Sequence, residues 1–373
     1  MEGLKLKVID LFAGCGGLSL GFVKAGYTIT KAVEFDPVIA ETYKMNHSAV
    51  DVIVDDIKNI DINGVFSKKD ADVIIGGPPC QGFSMAGARI RQGFIDDPRN
   101  YLFKHYFNVV KAVRPDVFLM ENVKGLLTMQ GGKIFEEIEA VFSDPNMFDG
   151  KPYYIYHRII RATDFGIPQK RERVIIIGST KQFSESEFDH LWAMAHKQVL
   201  EESPTFFDEV TVEDAIGNLP TVSCDGFVAN PTPLSPYQSY LSCGEEKLQN
   251  HIKSNHSAKA VARMKQVKNG ENFTVLDEKI KSVHSGSYGR LCWDEPASTI
   301  TTRFDTPAGG RFIHPSEDRT LSPREAARIQ SFPDSFVFYG DRRSVSRQIG
   351  NAVPPKVSYF LAKLVKNIIA ASK

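Results

Sequence analysis

The stretch Ile74-Ile75-Gly76-Gly77-Pro78-Pro79-Cys80-Gln81-Gly82-Phe83-Ser84 decides how the chain is read. Residues 72–75 are short and β-rich, and they run straight into two glycines, two prolines and a cysteine, the pattern of a buried strand that stops abruptly. Two consecutive prolines fix φ and stiffen the turn, while paired glycines let backbone or ligand approach closely. Cys80 is therefore expected on a rigid platform at the carboxyl end of a strand, where an open α/β sheet binds its ligands. The bland alternative is an inert buried cysteine that merely follows a strand.

Upstream, residues 5–12 read as a first strand leading into Ala13-Gly14-Cys15-Gly16-Gly17-Leu18-Ser19-Leu20-Gly21-Phe22. This glycine-rich turn opens an amphipathic helix and makes a cradle for a nucleotide-like ligand. Its spacing is not the dinucleotide fingerprint, and a tight turn alone would also use such glycines. Residues 27–33 form a second strand ending at Glu34, with Phe35 and Asp36 behind it. A carboxylate there suits a ribose diol, since it accepts both hydroxyl protons. Residues 52–54 form a third strand ending at Asp55, Asp56 and Ile57, where a carboxylate could receive an exocyclic amine or simply face solvent.

Downstream, residues 85–100 hold three arginines and two glycines with little periodicity. They read as a loop facing a polyanion, or as ordinary surface. Residues 101–113 are helical, and residues 115–120 form a buried strand that delivers Glu121, Asn122 and Val123. A carboxylate at a strand tip in the same crevice as a thiol is a candidate acid. Residues 132–142 read as helix and residues 153–161 and 173–178 as strands. Gln169-Lys170-Arg171-Glu172-Arg173 lies between those two strands, and such a run is usually a solvated face.

From residue 180 the alternation of strand and helix breaks down. Residues 181–214 carry nine carboxylates against two lysines, while residues 253–290 carry eight Lys or Arg against three acids. That contrast suggests one face turned from a polyanion and one toward it. Regular pattern returns at Leu321 with a capped helix start and a proline stop, followed by Gln348-Ile349-Gly350-Asn351-Ala352-Val353-Pro354-Pro355 and an apolar helix over residues 356–371.

The whole chain has 373 residues, 42% hydrophobic and 24% charged, which is the composition of a soluble globular protein with room for one large domain and a smaller one. Its apolar runs are too short to span a bilayer, and the first residues show no signal-peptide pattern, so a cytoplasmic protein is expected. Five scattered cysteines without a C-x-x-C pair argue against a disulfide framework or structural zinc. A formal net charge of zero means that any polyanion contact comes from local patches.

These blocks together resemble the cytosine-specific DNA methyltransferases that act on ring carbon 5, in that family's order from end to end. Residues 10–22 resemble its cofactor loop, residues 77–84 its Pro-Cys motif, residues 121–123 its Glu-Asn-Val motif and residues 169–173 its Gln-x-Arg-x-Arg motif. Residues 324–333 and 348–355 complete the set. The resemblance implies an α/β fold with a doubly wound, mostly parallel, Rossmann-like sheet and a smaller irregular recognition domain. It implies catalysis from residues 1–180 and 335–373, and target recognition from residues 181–334.

The family's chemistry implies that the Cys80 thiolate adds to carbon 6 of cytosine, making an enamine that attacks the methyl of S-adenosylmethionine. Glu121 would hold ring nitrogen 3 protonated, and Arg173 with Arg171 would bind the carbonyl oxygen. The cofactor would lie along Phe12, Gly14 and Gly17, with Glu34 on the ribose and Phe35 against the adenine. Asp56, Ile57, Pro79, Leu102, Asn351 and Val353 would complete its pocket. No metal is implied. The target base must leave the duplex stack, and Ser84, Arg89, Arg91, Lys265, Lys268 and Arg303 are the expected contacts to double-stranded DNA. A monomer associated with the nucleoid, with a cognate restriction endonuclease acting independently, is the family's usual setting. Two rivals are a transfer RNA cytosine methyltransferase on the same scaffold and a non-catalytic cofactor-binding regulator, which would be expected to have lost Cys80 or Glu121.

Overall fold

The short apolar runs become strands β1 (Lys7–Leu11), β2 (Thr28–Glu34), β3 (Asp51–Val54), β4 (Val73–Gly76), β5 (Val117–Val123), β6 (Tyr154–Arg161), β7 (Gln169–Lys170) and β8 (Glu172–Ser179). The computed structural model describes residues 5–79, 101–242, 244, 246–278, 280 and 285–372. Contacts divide the chain into two units, Met1–Ile160, Glu172–Ser203 and Val357–Lys373 in the first, and Arg161–Arg171 with Pro204–Lys356 in the second.

The first unit is built on a 7-stranded sheet of order β3-β2-β1-β4-β5-β8-β6. Strands β1 to β5 pair in parallel, and β8 runs antiparallel beside β5. Parallel strands covered on both faces read as continuous apolar runs, and Val73, Ile74 and Ile75 are indeed fully buried. Strand order reverses between β1 and β4, which opens a crevice at their carboxyl ends. Register keeps those ends level, since Leu11 pairs with both Val33 and Gly76, Gly76 with Met120, and Glu34 with Val54. Gly76 has to be glycine, because a Cβ there would sit 2.3 Å from the Leu11 carbonyl oxygen. On one side of the sheet Phe107, Phe118, Phe142, Phe148 and Tyr153 form a buried aromatic cluster, with Phe118 and Phe142 centroids 4.2 Å apart.

The unit boundaries differ from those expected at 180 and 335. The acidic stretch after 180 forms the helix Glu185–Glu202, started by a Ser184–Glu187 capping box. It buries Phe188, Leu191, Ala195 and Val199, and it docks on the last helix, Pro355–Ser372. Trp192 and Phe360 rings lie 4.8 Å apart, Gln198 donates to Asn367 at 3.1 Å, and Lys363 pairs with Glu202 at 2.6 Å. The last helix in turn packs on the helix Gly17–Lys24, where Ser358 donates to the Leu18 carbonyl, and just beyond it Tyr27 donates to the Ala362 carbonyl at 2.9 Å. Among the described residues no helix is long and apolar enough to cross a membrane.

The second unit is irregular, with two-residue strand pairings around short helices. Its centre is the buried helix Pro323–Ile329, opened by a Ser322–Glu325 capping box. Arg324 is fully buried and donates to the carbonyls of Gln249, Pro333 and Phe336. Arg328 makes a two-pronged pair with Asp334 at 2.8 and 2.9 Å. Residues 335–356 belong here because Phe336 and Phe338 stack around Phe332, and Gln330 donates to the Ile349 carbonyl at 2.6 Å.

Candidate active site

The glycine loop sits at the tip of β1 beside the tip of β2. Phe12 adopts φ 57°, a left-handed conformation that is uncommon outside glycine and points to constraint. The Gly14 N–H donates to Glu34 Oε2 at 2.9 Å and the Asp36 N–H to Glu34 Oε1 at 2.9 Å, so one buried carboxylate holds the loop and the next turn together. Burial pushes the Glu34 pKa up, while those two N–H bonds pull it down. Each oxygen keeps a second lone pair for a ligand hydroxyl. Phe35, the next residue, exposes 62% of its surface, an unusual state for a large aromatic and suited to stacking. Nothing lies within 4 Å of the position a Gly14 Cβ would take.

Beneath the loop, Ser19 Oγ bonds Asp10 Oδ2 at 2.6 Å and Tyr43 Oη at 2.7 Å. Burial pushes the Asp10 carboxyl up to about 7 against the pull of the Ser19 bond. Its Oδ1 is buried with no hydrogen-bond partner among the described residues. Ile57 is buried, Leu102 packs on the main core, and Asp56 is held by Lys58 at 2.8 Å.

Cys80, Ser84, Arg89 and Arg91 lie outside the described residues, which reach Pro79. What leads to Cys80 is fixed from β5, where Asn122 Nδ2 donates to the Pro78 carbonyl at 3.0 Å and Asn122 Oδ1 accepts from the Val123 N–H at 2.9 Å. Glu121 precedes this clamp, and its Oε2 is 3.6 Å from where a Gly77 Cβ would be. Register places Val123 opposite Arg173 on antiparallel β8, so Arg173 lies diagonal to Glu121 on one face. The Arg173 Nε approaches Glu121 Oε1 to 2.9 Å. That approach is too poorly aligned to be a hydrogen bond, and Oε1 stays buried without one among the described residues.

Arg171 does something else. It is buried in the second unit, with Nη1 donating to the carbonyls of Ile300 at 3.3 Å and Gly350 at 3.2 Å, and Nη2 to Ala352 at 3.1 Å. Gln169 accepts from the Ile300 N–H and donates to Gln330, each at 2.8 Å, and Gln330 reaches Ile349. Gln169 and Arg171 are thus joined with the 324–333 and 348–355 blocks in one hydrogen-bond network. Arg171, expected beside Arg173 at the base, has its guanidinium on these backbone carbonyls. Asn351 ends the helix Arg342–Asn351 and Val353 is buried beyond it, both in this unit.

Arg303, Lys265 and Lys268 are exposed. Several of the positive charges counted over 253–290 are paired in three dimensions. Lys259 and Arg263 pair with Glu278. Arg290 is buried, donating to the Met264 and Val267 carbonyls that end the helix Ala258–Gln266 and pairing with Asp318 at 2.7 Å. Among the described residues no His, Cys, Asp or Glu cluster is arranged to hold a metal.

A loop of this kind at the switch point of a β3-β2-β1-β4-β5 sheet, closed by an antiparallel strand, is the architecture of a Rossmann-like methyltransferase. Residues 6–367 match the family of C-5 cytosine-specific DNA methylases. The chain is 35% identical over 368 residues to the Type II methyltransferase M1.HphI of Haemophilus parahaemolyticus, covering 97% of this chain and 87% of that one. It is 34% identical to M.DdeI of Desulfomicrobium norvegicum, covering 96% and 88%. A candidate DNA modification methyltransferase encoded in an E. coli prophage superposes with TM-score 0.74 at 28% identity, covering 98% of this chain and 100% of that one. The S. pombe Dnmt2 methyltransferase, at 18% identity and TM-score 0.61 over 97% and 99% of the two chains, shares the fold. The chain belongs to the C-5 cytosine-specific DNA methylase family, and it transfers a methyl group from S-adenosylmethionine to carbon 5 of cytosine in DNA.

Proposed function

We propose that Cys80 is the nucleophile, that Glu121 and Arg173 receive the base, and that the loop from Phe12 to Gly17 with Glu34 and Phe35 receives the cofactor. The observation that carries this reading is the Glu121–Arg173 pair, with Oε1 2.9 Å from Arg173 Nε and Oε2 turned to the start of the Gly77-Pro78-Pro79 turn, 3.6 Å from where a Gly77 Cβ would be. A carboxylate held by a guanidinium through one oxygen keeps the other for a ligand donor. Ring nitrogen 3 of cytosine, carrying a proton, is such a donor. Arg173 holds Glu121 in place and faces the neighbouring carbonyl oxygen. Together they draw off the negative charge that builds when the Cys80 sulfur bonds to carbon 6.

When bound, S-adenosylmethionine supplies the methyl group as an electrophile on a sulfonium. The open side of Gly14, the exposed Phe35 ring and the spare lone pairs of Glu34 fit a nucleoside. Asp56, Ile57, Pro79 and Leu102 would be further pocket residues. After carbon 5 is methylated, a base takes its proton, and the freed electron pair forms the C5–C6 double bond as the Cys80 sulfur leaves carbon 6 as a thiolate. The base reaches the sulfur only by leaving the duplex.

In this reading the first unit is catalytic and the second selects the target. Exposed Lys265, Lys268 and Arg303, with Ser84, Arg89 and Arg91, would hold duplex DNA. The enzyme would act as a cytoplasmic, nucleoid-associated monomer beside an independent restriction endonuclease. Incubating the chain with radiolabelled cofactor and either duplex DNA or transfer RNA tests the substrate. Label should enter DNA only, and Cys80→Ser should abolish it while cofactor binding persists. Label in RNA alone, or an active Cys80→Ser variant, would overturn the proposal.

A further inference from the structure

One set of contacts behind the glycine loop has no counterpart in the motifs. The helix Pro37–Asn46 starts immediately after Glu34 and Phe35, with Asp36 as its cap accepting from the Val38 and Ile39 N–H groups. Its far end returns to the loop. Tyr43 is fully buried and its hydroxyl meets Ser19 Oγ, which bonds Asp10. His47, one turn on, is buried with Nε2 3.1 Å from the Gly16 carbonyl oxygen and its ring 4.6 Å from that of Tyr43. A carbonyl only accepts, so Nε2 carries the hydrogen. Burial keeps the ring neutral, pushing its pKa down to about 4. Gly16 stands at φ 94° and caps the helix Gly17–Lys24 without any side-chain bond of its own. A Cβ on Gly16 would meet His47 Nε2 at 2.5 Å, so ring and loop are in direct contact.

We propose that His47 is a positioning residue for the cofactor loop. Its N–H holds the Gly16 carbonyl from behind, with Tyr43 as the wall the ring leans on, so that the loop keeps one shape before the cofactor arrives. Preorganisation of this kind changes affinity for the ligand that the loop receives, not the chemical step. The proposal rests on the placement of the cofactor along Phe12 to Gly17 given above.

The test uses the full chain and calorimetric titration with S-adenosylmethionine, alongside steady-state kinetics. His47→Leu removes the donor, and His47→Gln keeps an N–H that can reach the same carbonyl. His47→Leu should weaken cofactor binding roughly three- to ten-fold, the range for one net hydrogen bond. KM for the cofactor should rise in step, with kcat and KM for DNA unchanged, and His47→Gln should recover most of the loss. Wild-type affinity in His47→Leu, equal loss in kcat and DNA affinity, or a Gln variant no better than Leu would overturn the proposal. Should His47→Leu fail to fold, His47→Phe takes its place, keeping a ring against Tyr43 but no donor: the same three- to ten-fold loss supports the proposal, and unchanged cofactor affinity contradicts it. Glu34→Ala, run in parallel, separates the layers. If it leaves affinity unchanged, the cofactor placement itself fails. If it weakens binding while His47→Leu does not, only the role of His47 fails.

Discussion

Arg171 and Arg173 are two residues apart in one basic motif, yet they do opposite kinds of work. Arg173, on β8 of the first unit, points its guanidinium at the Glu121 carboxylate, with Nε 2.9 Å from Oε1. Arg171, in the second unit, donates to three backbone carbonyls and is almost inaccessible. Alternation along an extended segment sends neighbours of equal parity to one face, but this segment breaks between β7 and β8, and the register is lost at that point. The same contrast runs through the two regions as a whole. At the strand tips of the first unit, motif residues keep an open side: Glu34 has spare lone pairs, Gly14 has space and Phe35 has an exposed ring. In the knot of Gln169, Arg171, Gln330 and Gly350, the polar groups are turned on one another. A motif can therefore mark a ligand contact or the frame that holds one, and only the partners of each side chain tell which.

Substitutions should separate the two regions. Glu121→Gln should lower kcat by about two to four orders of magnitude, the usual contribution of a positioned acid, with little change in thermal stability. A stability loss without a rate defect would place Glu121 in the frame. Arg171→Met should do the reverse, leaving buried carbonyls of Ile300, Gly350 and Ala352 without donors and costing about 2–4 kcal/mol in a denaturant titration. If Arg171→Met instead folded at full stability and lost only activity, the contrast would collapse.

A pH-dependent effect is expected from Lys356, a lysine of the second unit that donates to the Gly166 and Phe206 carbonyls at 3.0 and 2.8 Å. Burial pushes its pKa down from 10.5 to about 7, with Asp208 opposing. Between those values the unfolded chain binds the proton more readily, so stability should fall as pH drops from 10.5 toward 7 and level off below. Lys356→Met should flatten that part of the profile in thermal melts, and an unchanged slope would show that the lysine stays charged. Smallest is the surface effect of Lys265 and Lys268. Replacing both with Gln should weaken binding to all duplexes alike and flatten the plot of log affinity against log salt by about one unit per lost phosphate contact. An unchanged slope would place both lysines away from the DNA.

Much of the first region was legible because buried parallel strands are apolar and end abruptly. Glu34, Glu121 and Cys80 each follow such a run, and a charge or thiol at a strand tip stands out. The frame was less legible, since its bonds join residues far apart in sequence. Arg290 counted as surface charge until its carbonyl partners near residues 264, 267 and 314 were known. The helix Glu185–Glu202 looked foreign to the first unit by its acidity, although Phe188, Leu191, Ala195 and Val199 form the helical stripe that docks it. Tyr43 and His47 have only a spacing of one helical turn to announce them, and nothing in that spacing names Gly16 as the partner.

The central claim is that Cys80 bonds to carbon 6 of a cytosine while Glu121 steadies the ring, and a mechanism-based trap tests it most directly. Duplex DNA carrying 5-fluorocytosine at the target position is mixed with the enzyme and S-adenosylmethionine, and the products are resolved on a denaturing gel. Fluorine cannot leave carbon 5 as a proton does, so the wild-type chain should remain covalently attached through the peptide containing Cys80, with Cys80→Ser giving no adduct. A wild-type chain that methylates normal DNA but forms no adduct, or an adduct that maps to another residue, would contradict the account.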